Sequence, residues 1–217
     1  MDSKQPHLRP ETIAITAGRP EVGADSALNP PISLNSTFTS GGPIGYGRYG
    51  NETWTALESA IGALEGGQTL SYSSGMAAVS AVFSTLPVGA KVVASNQGYS
   101  GVMTLLGNLT AAKKINATLV SIADTDEVIA ALDGADLLWL ESPTNPSLDV
   151  ADLPALIKAA KSQNITVAVD NTFATALVQK PLSMGADIVM NSVTKYLAGH
   201  SDVILGSLST NSPVSYT

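Results

Sequence analysis

The chain has 217 residues, a net charge of −7 and a hydrophobic content of 44%. That apolar content excludes a disordered chain, and the acidic balance excludes a basic stripe that could bind nucleic acid. Cysteine is absent, which excludes disulfides and zinc–thiolate sites. His7 and His200 are too far apart in sequence for a metal motif, so we expect no metal site. A polar N-terminus and the lack of a long apolar run predict a cytoplasmic protein outside the membrane.

The chain begins with a segment that is rich in Pro and Gly. Residues 1–51 show little periodicity, which is typical of an extended arm. The pattern changes with residues 53–64, which predict a helix that ends at Gly66 and Gly67. We therefore predict an N-terminal arm over residues 1–51 and one large domain over residues 52–217.

Short apolar runs then alternate with helical stretches. The predicted strands are 69–72, 91–94, 118–121, 137–140, 166–169, 188–190 and 203–208. The predicted helices are 76–86, 101–114, 127–132 and 153–163. The run 137–140 is continuously apolar, which favours a strand that is covered on both faces. The alternation predicts an α/β fold with a mostly parallel sheet flanked by helices.

Polar residues follow four of the predicted strands, at the edge where open α/β sheets bind ligands. These segments are Ser73-Ser74-Gly75-Met76-Ala77-Ala78, Glu141-Ser142-Pro143-Thr144-Asn145-Pro146, Asp170-Asn171-Thr172 and Asn191-Ser192-Val193-Thr194-Lys195-Tyr196. Each has an ordinary structural explanation when it is considered alone. The first is a helix cap, the second a rigid turn, the third a carboxylate that caps a neighbouring helix and the fourth a surface lysine.

Taken together, these segments indicate a cofactor site. Small residues around Gly75 allow backbone N–H groups to approach a phosphate at a helix N-terminus. Asp170 could keep a pyridine nitrogen protonated, and Lys195 could form a Schiff base, as a pyridoxal phosphate site requires. A competing nucleotide-binding interpretation rests on the G-x-G-x-x-G pattern at 45–50. That pattern follows a loop and not a strand, so its structural context is wrong.

The order and spacing of these motifs resemble the Cys/Met metabolism (transsulfuration) enzymes, such as cystathionine γ-synthase and cystathionine γ-lyase. The resemblance extends to Tyr46-Gly47-Arg48-Tyr49-Gly50-Asn51 and to Gly199-His200-Ser201-Asp202. It implies the large domain of the aspartate-aminotransferase-like (type I) fold, with pyridoxal 5′-phosphate as cofactor. Glu52 follows Asn51 where the family commonly has proline, so this loop is expected to be less rigid.

The resemblance also implies roles for individual residues. Lys195 and Tyr99 are the expected catalytic residues: Lys195 binds the cofactor and moves protons, and Tyr99 stacks on the ring. Asp170 pairs with the ring nitrogen, and Asn145 lies near the ring hydroxyl. The other expected cofactor-binding residues are Gly75, Met76, Ser192 and Thr194 at the phosphate, together with Thr172, Tyr46 and Arg48.

Tyr46 and Arg48 are expected to reach the phosphate of a neighbouring subunit. The resemblance therefore implies a homo-oligomer, which is a dimer at least. The usual assembly of the family is a tetramer. The guanidinium of Arg48 is a planar fork that suits phosphate.

The implied activity is γ-replacement or γ-elimination on a sulfur amino acid or an O-acylhomoserine. Methionine γ-lyase and O-acetylhomoserine sulfhydrylase remain alternatives, although the lack of a cysteine near Tyr99 disfavours the former. Family chains continue into a smaller C-terminal domain that carries an arginine for the substrate carboxylate, and no arginine follows Arg48 here. We therefore expect a truncated chain, and an inactive cofactor-binding fragment is the second hypothesis.

Overall fold

The structure is a computed structural model that describes residues 8–212. His7 and the outer ends of both predicted domains lie outside these residues. The chain divides into two compact units, Met1–Leu64 and Glu65–Thr217. The boundary that the sequence predicts after residue 51 stays a prediction.

The N-terminal unit contains helix α1 (Pro10–Thr16), a short 3₁₀ helix (Gly47–Tyr49) and most of helix α2 (Glu52–Glu65). The predicted helix 53–64 is therefore confirmed to within one residue at each end. Asn51 explains where α2 begins, because its Oδ1 accepts the backbone N–H of Thr53 at 2.9 Å. The same side chain donates to the Ser33 carbonyl at 3.1 Å, which fixes part of the preceding extended segment beside the helix.

The second unit contains a seven-stranded sheet in the order β1-β7-β6-β5-β4-β2-β3. Its strands are β1 (Gln68–Tyr72), β2 (Ala90–Ser95), β3 (Ile115–Val120), β4 (Leu137–Glu141), β5 (Thr166–Asp170), β6 (Ile188–Asn191) and β7 (Gly206–Thr210). β7 runs antiparallel to β1 and β6, and the other paired strands are parallel. The prediction of a mostly parallel sheet is confirmed.

Two strand boundaries were predicted wrongly. β3 begins at Ile115 and not at residue 118, because the strand pairs with β2 along its whole length, from Ile115 opposite Ala90 onward. β7 begins at Gly206 and not at residue 203. Its partner β1 ends opposite Gly206, and the backbone of Leu205 instead bonds to Thr194.

Helices lie on both sides of the sheet. They are α3 (Gly75–Ser84), α4 (Ser100–Ala111), α5 (Thr125–Ala131), α6 (Leu153–Ser162), α7 (Thr175–Val178) and α8 (Pro181–Met184). The sequence did not predict α7 and α8, whose four residues each are too few for a helical period. Side-chain caps begin three of the others: Ser74 caps α3, Asp124 caps α5 and Asp152 caps α6.

Alternate residues of β4 enter two separate hydrophobic clusters. Leu138 and Leu140 pack with α5 and α6, while Leu137 and Trp139 pack with α3 and α4. All four are at most 1% exposed, as a strand between two helical layers requires. The continuous apolar run of β4 therefore reflects burial on both faces. Among residues 8–212, no helix has the length and apolar character to cross a membrane.

Candidate functional site

The site lies where β4, β5 and β6 end side by side. Glu141 pairs with Asp170, and Asp170 with Met190, so the three strands end at one edge, where Glu141 and Asp170 present carboxyl groups. A cavity of about 330 Å³ opens there, within the size range of small-molecule sites. The predicted site residues that line it are Gly75, Met76, Tyr99, Asn145, Asp170, Thr172, Ser192, Thr194 and Lys195. The structure thus brings together all of the predicted site residues of the second unit.

One end of the cavity is formed by the start of α3. The backbone N–H groups of Gly75 and Met76 belong to the first turn, where no acceptor exists within the helix. Ser74 caps this turn by accepting the N–H of Ala77 at 3.1 Å. A Cβ atom at Gly75 would lie 2.8 Å from both the Cβ and Oγ atoms of Ser192, so only glycine allows this close approach. The capping and anion-binding interpretations of this turn are therefore compatible.

Lys195 lies on the segment that follows β6. Its N–H donates to the Ser192 carbonyl at 3.0 Å, and its side chain lines the cavity in an exposed position. The Thr194 hydroxyl donates to the Leu205 carbonyl at 3.1 Å and accepts the Leu205 N–H at 2.9 Å. Because a hydroxyl has one proton to donate, Thr194 can donate to a phosphate only by releasing the Leu205 carbonyl.

Asp170 places a buried carboxyl group in the cavity wall. It is 7% exposed, and its Oδ1 accepts the N–H of Thr172 at 3.0 Å and the Thr172 hydroxyl at 2.5 Å. Burial raises the pKa of Asp170, and these two hydrogen bonds oppose that shift. Among residues 8–212, no basic side chain forms an ion pair with it. A cation in the cavity would offset the cost of burying this charge.

Tyr99, Asn145 and Glu141 also line the cavity. Glu141 Oε2 accepts the N–H of Tyr99 at 2.7 Å, and Glu141 Oε1 accepts the N–H of Asn145 at 2.8 Å. Burial, followed by the negative charge of Asp170, raises the pKa of Glu141 to about 7. The sequence did not predict Glu141 as a site residue, although it ends a buried strand just as Asp170 does.

Comparison with known proteins decides the family. The sequence model described as "Cys/Met metabolism PLP-dependent enzyme" matches residues 11–216. The chain belongs to this family. It is 41% identical over 211 residues to cystathionine gamma-synthase of Mycobacterium tuberculosis, covering 93% of this chain and 54% of that protein. It is 38% identical over 210 residues to cystathionine gamma-lyase of Sus scrofa, covering 93% of this chain and 52% of that protein.

Solved structures agree with this assignment. Cystathionine gamma synthase from Xanthomonas oryzae pv. oryzae, in complex with cystathionine, has a TM-score of 0.90 and 34% identity, covering 95% of this chain and 55% of that chain. The predicted fold class and family are confirmed. The chain spans about half the length of the curated relatives it matches.

The family's cofactor is pyridoxal phosphate, and the cavity's groups fit it. The N–H groups of the first turn of α3, which have no acceptor within the helix, suit the phosphate. The buried carboxyl group of Asp170 suits a protonated ring nitrogen, which would supply the missing positive charge. Lys195 supplies a primary amine on an accessible segment.

Tyr46 and Arg48 lie in the N-terminal unit, in and beside the 3₁₀ helix. The guanidinium carbon of Arg48 lies 5.3 Å from the centre of the Tyr46 ring and 5.4 Å from that of Tyr49. These distances are typical of cation–π contacts. The predicted reach of both residues to a neighbouring subunit stays a prediction.

Glu65, the last residue of α2, forms a buried polar cluster behind the strand ends. Its Oε1 accepts the side-chain amides of Asn171 at 3.3 Å and Asn191 at 2.8 Å. Within residues 8–212, Glu65 Oε2 and Asn191 Oδ1 have no hydrogen-bond partner. Burial raises the pKa of Glu65, against the lowering effect of Asn191, Asn171 and the charge of Lys180. A proton on Glu65 would remove the cost of burying a charge at this position.

We expect Glu65→Gln to stabilise the protein increasingly as the pH rises. A carboxyl group whose folded pKa exceeds its unfolded value of 4.5 contributes most stability below pH 4.5 and loses it as the pH rises towards the folded pKa. Glutamine carries no charge and therefore has no such loss. The difference should grow by about 1.4 kcal/mol per pH unit over that range. Urea unfolding at pH 5 and pH 8 measures it.

The exposed Glu11→Gln in α1 is the matched control and should leave the pH dependence unchanged. A Glu65→Gln variant that is less stable than wild type at pH 8 would show that the ionised carboxylate is the favourable form.

Proposed function

We propose that this chain binds pyridoxal phosphate through Lys195. We further propose that the whole enzyme performs γ-replacement or γ-elimination on a sulfur amino acid or an O-acylhomoserine. The observation that carries this proposal is the meeting of Lys195, the buried Asp170 and the start of α3 at a single cavity. Membership in a family of pyridoxal-phosphate enzymes supports the cofactor, and the relative solved with cystathionine supports the class of substrate.

The phosphate end of the cavity acts through position and partial charge. The first turn of α3 directs the N–H groups of Gly75 and Met76 outward, where the helix dipole favours an anion. Ser192 adds a hydroxyl that lies against Gly75. The close approach of these two segments keeps the donors in place before the ligand arrives.

The ring end acts through Asp170 and Tyr99. The cofactor, when bound, supplies an electron sink for charge that develops at the substrate α-carbon, provided that its ring nitrogen stays protonated. The Asp170 carboxylate keeps the ring nitrogen protonated, because a cation beside it offsets the cost of burying the carboxylate charge. Tyr99, 39% exposed at the cavity, offers a flat face to the ring and a hydroxyl to the substrate.

Lys195 has two tasks that both follow from its position. Its amine can attach the cofactor, which requires access from solvent. Once the amine is free again, it can take the proton from the substrate α-carbon. A hydrogen bond of 3.0 Å from the Lys195 N–H to the Ser192 carbonyl fixes the backbone from which the side chain enters the cavity.

Trapping with borohydride tests the proposal. The purified chain is mixed with pyridoxal phosphate, its visible spectrum is recorded, and the reduced product is mapped by peptide mass analysis. We expect a visible absorption band and one reduced adduct, on Lys195, that is lost in Lys195→Ala and kept in the control Lys158→Ala on α6. No adduct, or an adduct spread over several lysines, would overturn the proposal. Product analysis with O-acylhomoserine plus cysteine, or with cystathionine, then separates synthase from lyase chemistry.

A further inference from the structure

Glu141 lies at the cavity and has no role in the function proposed above. We propose that it is a positioning residue: its carboxylate holds Tyr99 and Asn145 beside the cofactor ring by accepting the backbone N–H of each. The inference rests on the proposed function, in which Tyr99 faces the ring, and on the family resemblance, which implies that Asn145 lies near the ring hydroxyl. Glu141 is 5% exposed and stands opposite Asp170 in the sheet, so its backbone is fixed by the most buried part of the fold.

The two hydrogen bonds use both oxygens of one carboxylate. Oε2 accepts from Tyr99 at 2.7 Å and Oε1 accepts from Asn145 at 2.8 Å. These lengths are those of charge-assisted bonds, which are stronger than neutral ones. Tyr99 precedes the first residue of α4, and its side chain gives that helix no cap. Glu141 therefore also places a negative charge at the N-terminus of a 12-residue helix.

Gly98 gives independent support for this contact. A Cβ atom at this position would lie 3.1 Å from Glu141 Oε2, which is tighter than ordinary contact. The segment before α4 thus approaches the carboxylate through its backbone. That approach brings the Tyr99 N–H into reach and fixes where the Tyr99 side chain begins.

The arrangement requires the ionised form of Glu141. A carboxylate accepts strongly on both oxygens, whereas glutamine has an NH₂ donor at one of the two positions and protonation leaves one oxygen a weaker acceptor. In glutamine one of the N–H groups therefore faces another donor and loses its bond. Substitution by glutamine keeps the size of the side chain and removes only the charge and the second acceptor oxygen.

The protonation of Glu141 gives the contact a pH dependence. Burial and the charge of Asp170 raise the pKa of Glu141 to about 7, while the N–H groups of Tyr99 and Asn145 lower it. The titratable groups that line the cavity with it are Tyr99, Asp170 and Lys195. At pH 8 the carboxylate form, which accepts both N–H groups, is therefore the main form.

Amide hydrogen exchange, followed residue by residue by NMR of the ¹⁵N-labelled 217-residue chain, tests the inference without cofactor. In the wild type at pH 8 we expect the N–H groups of both Tyr99 and Asn145 to be protected from exchange, because each donates to the Glu141 carboxylate. In Glu141→Gln at pH 8 we expect the protection factor of at least one of the two N–H groups to fall about tenfold or more. The measurement on the wild type needs no variant and decides the matter even if Glu141→Gln does not fold.

Glu127→Gln is the matched control, because Glu127 also accepts a backbone N–H, that of Ser121 at 3.3 Å, from an exposed position. It should leave the exchange of Tyr99 and Asn145 unchanged. Unchanged protection of both amides in Glu141→Gln, or an unprotected Tyr99 or Asn145 amide in the wild type, would overturn the inference.

The dissociation constant of pyridoxal phosphate completes the test. We expect it to rise about tenfold in Glu141→Gln and to stay unchanged in Glu127→Gln. Loss of amide protection with unchanged affinity would overturn the positioning role. If the wild type itself binds no cofactor, the proposed function fails, while amide exchange still decides whether Glu141 holds the two segments.

Discussion

Asp170→Asn is expected to weaken pyridoxal phosphate binding by about 100-fold or more and, in the same protein, to stabilise the unliganded fold at pH 7. Asp170 is buried at the end of β5, and both of its hydrogen bonds end on Oδ1. Asparagine keeps that oxygen but carries no charge to pair with a cationic ring nitrogen. Breaking one half of a buried ion pair costs about 3 kcal/mol or more, which corresponds to this loss of affinity.

The gain in stability follows from the same burial. The pKa of Asp170 is raised, so the folded protein holds this proton more tightly than the unfolded chain does. The stability that the protonated form provides is fully present below the unfolded pKa of 3.8 and is lost as the pH rises through the folded pKa. A neutral asparagine avoids that loss at pH 7, whereas in the wild type the proposed pairing with a cationic ring nitrogen would offset it.

Fluorescence titration with pyridoxal phosphate and urea unfolding of the unliganded chain measure the two effects. Asp187→Asn is the matched control, because Asp187 forms an ion pair with Lys161 at 2.7 Å on a partly exposed surface. It should lower stability by about 1 kcal/mol or less and leave cofactor affinity unchanged. An Asp170→Asn protein that binds the cofactor as tightly as the wild type, or that is less stable at pH 7, would contradict the assigned role.

Most of the fold could be predicted from local pattern, because burial on both faces leaves a clear signal. The apolar runs of β4 and β5 predicted strands that the structure contains, and helix α6 was placed to within one residue. The start of β7 could not be placed in this way. Val203 and Ile204 are apolar but 45% and 73% exposed, and only the end of β1 determines where β7 begins to pair.

The candidate site was predictable where a residue carries an unusual chemical type at a strand end. Asp170 and Lys195 stand out in this way, and the cavity contains both. Glu141 is likewise a charged residue at the end of a buried strand. Its partners Tyr99 and Asn145 donate only backbone N–H groups, and because every residue except proline has one, the sequence does not indicate these contacts. Glu65 was missed for a different reason: its partners Asn171 and Asn191 lie 106 and 126 residues away, so only the folded chain brings them together.

Gly206→Ala is expected to lower the free energy of unfolding by about 3 kcal/mol or more. A Cβ atom at this first residue of β7 would lie 2.2 Å from the Ser74 carbonyl oxygen and 2.9 Å from the Gly75 Cα. All of these neighbours are backbone atoms, so no rotation of a side chain can make room. Either β7 or the start of α3 must move. Urea unfolding followed by far-UV circular dichroism measures the change.

Gly107→Ala is the matched control, because no atom lies within 4 Å of its added Cβ. In the interior of α4 this substitution should stabilise the helix by about 0.5–1 kcal/mol.

Gly206→Ala also has a consequence for the site. The backbone it displaces, Ser74 and Gly75, begins the turn that we assign to the cofactor phosphate, so protein that still folds should bind pyridoxal phosphate more weakly. Unchanged stability would show that β7 and α3 can separate freely, and that this turn is not held by the packing we describe.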